Sequence, residues 1–519
     1  MKSQRKMLTS FLIIFLFSGT FLAAQEKISI DNVRRAYLRS TGTIVENEQI
    51  KGYFFFYQSD KVDRKTNEYT LQIVDQNLNK VKDIKFTDSK NIELLESSYN
   101  GTSLMFMFYD GKERMLDFRL YGLDGSKKQN YSKVLSKKSD AYFEFSQSQQ
   151  DEEIENKNVF DIKNKGYVTV IPERDGRQYS YEVNFLASDR KRQWTFAPTG
   201  DEKWTSAQYL GSNDSIAIFE ILKKDRLMSK HAQSTLLGLN LENGKQTFEV
   251  STEGEAYKFF PMNISMLKGR NEFLLMGPYY EGDDRILQDK SLGLGAWVMN
   301  NQGKIVAQKY NSWALQIGKF LKTDQKGRVE NIGSIYFHNV LQTEDGKIFA
   351  IGEGYKRTAS ALGIASKILT RNSGVSVTKM KITDMVMLQF NERFEVENAT
   401  IYDKYNNNVE MASGTELTSP HTIAMYLKMV GAFDYTFTQP GKNKASFVTG
   451  YTDYEKGKDY KGLSFNSITY AGGNITTDRI KLKSSSSAMM IFPAKSGFVM
   501  IAEYFRKDKR MDFRMEKLN

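Results

Sequence analysis

The stretch from Ile335 to Ile351 decides the fold. A short strand pattern covers Ile335 to Leu341, a polar turn follows at Glu344-Asp345-Gly346, and an apolar run, Ile348-Phe349-Ala350-Ile351, comes next. Asp, Asn and Gly tolerate the positive φ that tight hairpins demand. A strand buried on both faces reads as continuous apolar sequence, whereas a half-exposed strand alternates. The segment therefore predicts a hairpin whose second strand is buried on both sides.

The same order recurs along the chain. Thr41 to Val45 leads into Tyr53 to Tyr57, and Ile92 to Ser97 leads through Asn100-Gly101 into Leu104 to Phe108. Val159 to Ile162 leads into Tyr167 to Ile171, Ser206 to Leu210 into Ile216 to Phe219, and Asn263 to Leu267 into Phe273 to Met276. Tyr435 to Phe437 leads through Pro440-Gly441 into Phe447 to Gly450, and Met489 to Phe492 leads into Phe498 to Ile501. With the opening segment this makes eight copies. A second hairpin follows most of them, turning at Asn77, Asp124, Asp189, Asn243, Asn301, Asn391 and Gly472.

Each unit reads as four short antiparallel strands in about 50–60 residues, which is the size of a propeller blade. The fold class is thus all-β: a β-propeller of about eight four-stranded blades, with seven as the alternative if one hairpin pair belongs to an insertion. A pair of β-sandwiches would explain the strand content but not eight repetitions of one hairpin order. After Phe498 to Tyr504 the last strand is Met511 to Leu518, so the final blade lacks a fourth strand. Lys27-Ile28-Ser29-Ile30 is expected to supply it and leave no open edge there.

Two units are longer than the rest. The first insertion lies near 356–383, where Ala361, Ile364 and Ile368 sit at helical spacing. The second lies near 402–432, where Ser419-Pro420 reads as a helix cap followed by proline at the first helical position. Ile423, Leu427 and Val430 mark one helical face, and Gly431 ends it. Both insertions are expected on a rim of the ring, where loops on a rigid scaffold often carry function. Ser146 to Lys157 reads as an exposed interblade loop.

Composition sets the outer bounds. The 519 residues are 40% hydrophobic, 26% charged and 13% aromatic, with 7 prolines and no cysteine. That is a globular composition. It excludes disulfides, thiolate metal sites, a cysteine nucleophile and a cysteine-borne lipid anchor. Lys2, Arg5 and Lys6, the apolar run Phe11 to Phe17 and the small residues Ala23-Ala24 are the parts of a secretory signal peptide. Cleavage is expected after Ala24, giving 1–24 as signal and 25–519 as one propeller domain, exported to the periplasm or beyond. The apolar run is well short of the roughly 20 residues that span a membrane, and no later segment approaches that length. Losing those three cations lowers the formal charge from +11 to +8, a mild basic excess that reads as a lysine-rich solvated surface, with attraction to anionic surfaces as the alternative. No arginine-lysine stripe with interleaved aromatics points to nucleic acid.

The chemistry-bearing residues are dispersed. His231, His338 and His421 fall in separate units without a second ligand at metal spacing, so no metal site and no cofactor are expected. Glu281-Gly282-Asp283-Asp284, beside Arg285, is the densest carboxylate loop and reads as a solvated turn. No G-x-S-x-G elbow, H-E-x-x-H pair or phosphate-binding glycine loop occurs, and Ser484 to Ser487 is a polar loop. Trp194 and Trp297 lie in strand patterns, whereas Trp204 and Trp313 are the freer candidates for sugar-stacking platforms. Asn213 and Asn263 head Asn-x-Ser triplets. Catalytic and ligand-binding residues are not singled out by any motif.

The Trp-Asp ending of WD repeats and the sialidase Ser-x-Asp-x-Gly-x-Thr-Trp box are missing, and a kelch-like Gly472-Gly473 occurs once. The basic start, Ala24-Gln25-Glu26, the lysine, asparagine and tyrosine richness and the absence of cysteine together resemble uncharacterised exported propeller-like proteins of Bacteroidota-type bacteria. That resemblance implies a location and no activity. The expectation is a binding or scaffolding module of the cell envelope, with an envelope protein or a glycan as partner. The alternative is a carbohydrate- or peptide-active hydrolase, and it requires carboxylates facing each other across the funnel.

Overall fold

The structure is a computed structural model that describes residues 27–148, 157–189, 192–226, 229–359, 375–405, 407–412 and 419–518. Its strands follow the repeated hairpin order. Blade 2 shows the pattern in full: Ile92–Tyr99, Leu104–Asp110, Met115–Tyr121 and Lys127–Val134 pair in sequence as one antiparallel sheet. Blade 1 runs from Gly42–Glu46 to Lys80–Ser89, blade 3 from Val159–Ile162 to Gln193–Phe196, and blade 4 from Trp204–Ser212 to Gln246–Ser251. Blade 5 begins at Tyr257–Phe259 and ends at Ile305–Ser312, blade 6 runs from Ser334–Gln342 to Val396–Tyr402, and blade 7 from Tyr435–Pro440 to Asn474–Lys481. Ala488–Pro493, Phe498–Phe505 and Arg510–Lys517 form blade 8. Blades 3 and 4 also touch through the single parallel pair Tyr179 and Trp204. The described residues form eight blades, not seven.

The second strands carry the core, as their apolar sequence requires. Phe273 to Tyr280 in Glu272–Glu281 and Ile348 to Tyr355 in Ile348–Ala359 are buried without interruption. The outermost strands alternate, as in Lys127–Val134 and Asn474–Lys481, because only one face meets a neighbour. The first strands of neighbouring blades approach one another and are half-buried, so they line the axis.

Eight apolar clusters fill the eight seams between consecutive blades. The last seam joins blade 8 to blade 1, where Phe513 stacks on Phe55 at 3.7 Å between ring centroids. Lys27–Ile30 completes blade 8 by pairing with Arg510–Lys517, with Ile28 opposite Phe513. The Arg510–Lys517 edge is thereby covered and the ring closed, with Lys27–Ile30 as the outermost strand of blade 8.

Three details depart from the sequence reading. Residues 146–148 belong to the helix Lys137–Ser148 instead of a loop, and that helix buries Phe143 in the seam between blades 2 and 3. The first insertion begins and ends as strand: Ile348–Ala359 and Val375–Phe390 extend the central hairpin of blade 6, and Asn407–Ala412 adds to it as a further strand. The residues from 313 to 333, which the hairpin pattern leaves unassigned, hold the 3-10 turn Ile317–Lys319. The helical spacing at Ala361, Ile364 and Ile368, and the leader 1–24, lie outside the described residues. Among the described residues, no helix is long and apolar enough to cross a membrane.

Candidate functional site

Two arrangements stand out, both on the side of the ring formed by blades 5 to 7. The first is a buried ion cluster at the seam of blades 6 and 7. Glu353 comes from the second strand of blade 6, His338 from its first strand, Lys404 from just after its last strand, and Asp434 from the approach to blade 7. Lys404 Nζ lies 2.8 Å from Glu353 Oε1 and also pairs with Asp434. The backbone N–H groups of Asp434 and Tyr435 donate to Glu353 at 3.1 and 3.2 Å. His338 Nε2 stands 3.5 Å from Glu353 Oε2, and its ring stacks on Tyr435 at 4.4 Å. His338 reaches this position because it is the extra residue of a β-bulge between Phe337 and Asn339.

Burial pushes the Glu353 carboxyl up, but Lys404 and His338 outweigh it and hold the group below its usual range. Burial raises Asp434 and Lys404 only partly reverses that, while the Glu353 charge adds to the rise. Burial alone would lower Lys404; the two carboxylates raise it above a free lysine. A cation fixed between two carboxylates with backbone donors is a finished set of interactions. It ties blade 6 to the start of blade 7, with Glu353 and Lys404 fully enclosed and the Asp434 carboxyl part-exposed.

Blade 2 uses the same device. The carboxylate of Glu96 accepts from the N–H groups of Asn158 and Val159, at the start of blade 3, at 2.7 and 3.0 Å. Burial raises its pKa and these donors oppose the rise.

The axis itself bears on the hydrolase alternative. The first strands of blades 4 to 8 contain no Asp or Glu; Glu46, Glu93, Glu96 and Asp161 come from blades 1 to 3. Glu93 pairs with Arg35 and Glu96 is held as above. Asp161 is exposed at the axis and accepts from Ser98 Oγ at 3.1 Å. First-strand carboxylates therefore do not face each other from opposite sides of the ring.

The second arrangement is a cleft at the seam of blades 5 and 6, roofed by the helix Pro420–Met429. Ser419 caps this helix by accepting from the Thr422 N–H at 3.1 Å, with Pro420 at its first position. Thr422 Oγ1 donates to the Leu287 carbonyl of blade 5 at 2.9 Å, and Tyr355 Oη of blade 6 donates to the Pro420 carbonyl at 2.7 Å. His421 meets Phe260 edge-on at 4.5 Å. The helix thus bridges two blades, and Ile423, Ala424 and Leu427 are its buried face. The cleft beneath it encloses about 680 Å³ of unfilled space, its solvent-open mouth included.

The residues singled out in the sequence are scattered through these surroundings. Trp313 is buried at the wall of the cleft, with Nε1 3.1 Å from Ser291 Oγ, so it is no exposed sugar platform. Its indole fits because Gly327, at φ +71°, has no Cβ: one built there would sit 2.5 Å from Nε1. Trp194 stacks on Phe185, Trp297 stacks on Phe259, and half-buried Trp204 lies under Lys224 Nζ at 4.6 Å. His231 is exposed in the loop ahead of Gln233–Asn240. Asp284 accepts from the Glu281 N–H at 3.1 Å, which makes that acidic stretch a self-bonded turn. Asn213 pairs with Asn301, Asn263 donates to the Phe337 carbonyl at 3.1 Å, and Ser484 and Ser486 bond one another. Among the described residues, no group of three or more His, Asp or Glu is placed to hold a metal ion.

Glu353, Lys404, Asp434 and Tyr280 were not singled out by sequence reasoning. No motif marks them, and their partners lie in other strands or in the next blade.

A family model described as a family of unknown function, DUF6770, matches residues 1–519. No curated protein matches the chain. Solved structures with some likeness include cobalt-substituted Synechocystis ACO, at 9% identity and TM-score 0.29, over 50% of this chain and 57% of that one. Another is the WD40 domain of SCAP from fission yeast, at 7% identity and TM-score 0.35, over 94% of each chain. A third is prolyl oligopeptidase B from Galerina marginata, at 8% identity and TM-score 0.40, over 90% of this chain and 56% of that one.

Proposed function

The chain belongs to the DUF6770 family, whose function is unknown, and we propose that it is an exported binding module of the bacterial cell envelope. The observation that carries this reading is the distribution of carboxylates. The first strands that line the axis bring none from blades 4 to 8, and the buried set at Glu353 is neutralised by Lys404. Opposed carboxylates, the minimum for glycoside hydrolysis, are not what the ring presents at its centre. What it presents is a rigid scaffold with a roofed cleft between blades 5 and 6, the usual setting for recognition. The partner on this reading is an envelope protein or a glycan, and the leader 1–24 takes the chain to it.

The experiment is fractionation of native cells carrying a tagged chain, with crosslinking before lysis. The expected result is a product lacking residues 1–24, in the envelope, joined to one defined component. A cytoplasmic product with its leader intact overturns export. Turnover of an envelope polysaccharide or peptide by the purified chain, lost in Asp161→Asn, overturns the binding reading in favour of the hydrolase.

A further inference from the structure

Two residues that line the cleft beneath the helix Pro420–Met429 each carry a buried polar atom without a hydrogen-bond partner. Tyr280 is 0% exposed and His421 is 8% exposed, and both line the cleft. Neither Tyr280 Oη nor His421 Nε2 has a hydrogen-bond partner. A buried, unsatisfied polar group costs roughly 1–3 kcal/mol. Other seams hold such atoms too, Thr436 Oγ1 and Ser467 Oγ among them, but Tyr280 and His421 belong to one cleft with unfilled space, where an outside partner has room to satisfy them.

We propose that this cleft binds a small, mainly apolar aromatic molecule whose uncharged hydrogen-bonding head is held by Tyr280 and His421. The walls set the apolar part: Met262, Met276, Trp313 and Tyr336 surround the space. The polar atoms set the head. Burial lowers His421 to about 4, so its ring is neutral at physiological pH. Burial also raises Tyr280 far above an ordinary phenol, with Tyr355 and the nearby Asp284 and Asp289 adding to the rise, so it keeps its proton. Two neutral groups that donate and accept suit a hydroxyl, carbonyl or amide. They do not compensate a buried ion, whose desolvation cost is far larger. The one lysine at the cleft, Lys326, is exposed at its edge.

This inference deepens the binding reading by naming a ligand class for the roofed cleft. Its test uses the purified chain, so failure of export or of an envelope partner leaves it standing. The probe is 1-naphthol, followed by its fluorescence, with naphthalene as the headless control. Saturable binding of 1-naphthol is expected, weakened about fivefold in Tyr280→Phe, with naphthalene indifferent to that change. The same substitution is expected to raise the melting temperature of the ligand-free chain, because it removes an unsatisfied buried hydroxyl. A hydroxyl with a purely structural role gives the opposite sign. Ala424→Leu, which fills the space under the helix, is expected to abolish binding, and Ala424→Met serves if the leucine variant does not fold. Absence of saturable 1-naphthol binding, equal affinity in wild type and Tyr280→Phe, or undiminished binding in a folded Ala424 variant each overturns the proposal.

Discussion

Glu220 shows how one buried group ties stability to pH. It lies in the second strand of blade 4 and is 3% exposed, and burial raises its pKa to about 8, with Ser234 opposing the rise. The unfolded chain binds this proton only below about 4.5, the ordinary value for Glu. The folded state holds extra protons between those two values, so this contribution is complete at low pH and is lost as pH rises through about 8. Glu220→Gln is expected to flatten that decline and to be the more stable form at pH 9 by a few kcal/mol, read from urea unfolding at several pH values. The ion cluster at Glu353 makes a complementary prediction. Lys404→Met leaves two carboxylates without their cation and is expected to cost about 3–5 kcal/mol, most of it recovered when Glu353→Gln is added. A double variant no better than the single would show that the cluster does not act as a unit.

Among the elements, the apolar second strands were legible because burial on both faces leaves a continuous signal. Ile348 to Ile351 reads as core in the sequence and is core in blade 6. The helix Pro420–Met429 was legible for a different reason: Ser419-Pro420 is a local start signal that needs no tertiary partner. Ser419→Ala is expected to cost about 1 kcal/mol through loss of the cap to Thr422, seen as a small drop in melting temperature. The helix Lys137–Ser148 was missed because its composition is polar and Phe143 is its deepest anchor. Its start did carry a signal, since Ser136 Oγ accepts from the Ser139 N–H at 3.1 Å. The extra strand Asn407–Ala412 left no trace in the sequence, because what makes it a strand is the extended hairpin beside it.

For the ring as a whole, closure is the property that distinguishes it from a row of hairpins. Each blade packs on two neighbours, and the last seam joins residues more than four hundred positions apart, such as Phe55 and Phe513. Phe55→Ala is expected to cost about 3–5 kcal/mol, because it leaves a cavity where two rings stack. Removing residues 27–30 uncovers the Arg510–Lys517 edge, and concentration-dependent self-association measured by analytical ultracentrifugation is the expected outcome. Monomeric behaviour at all concentrations would show that another segment covers that edge. The full chain is also expected to give a strand-dominated circular-dichroism spectrum and to keep its melting temperature on addition of a chelator.

The amino-acid sequence on its own determined the repeat, the count of hairpins, the buried second strands and the terminal strand that seals the ring. These follow from local periodicity and turn chemistry, which neighbouring residues express without help. Only the tertiary structure decided which side chains meet. Glu353, Lys404 and Asp434 come from different elements of two blades, and Tyr280 and His421 from a strand and a helix about 140 positions apart. In a ring of near-equivalent blades, a site is made where two repeats touch, and no stretch of either repeat contains it.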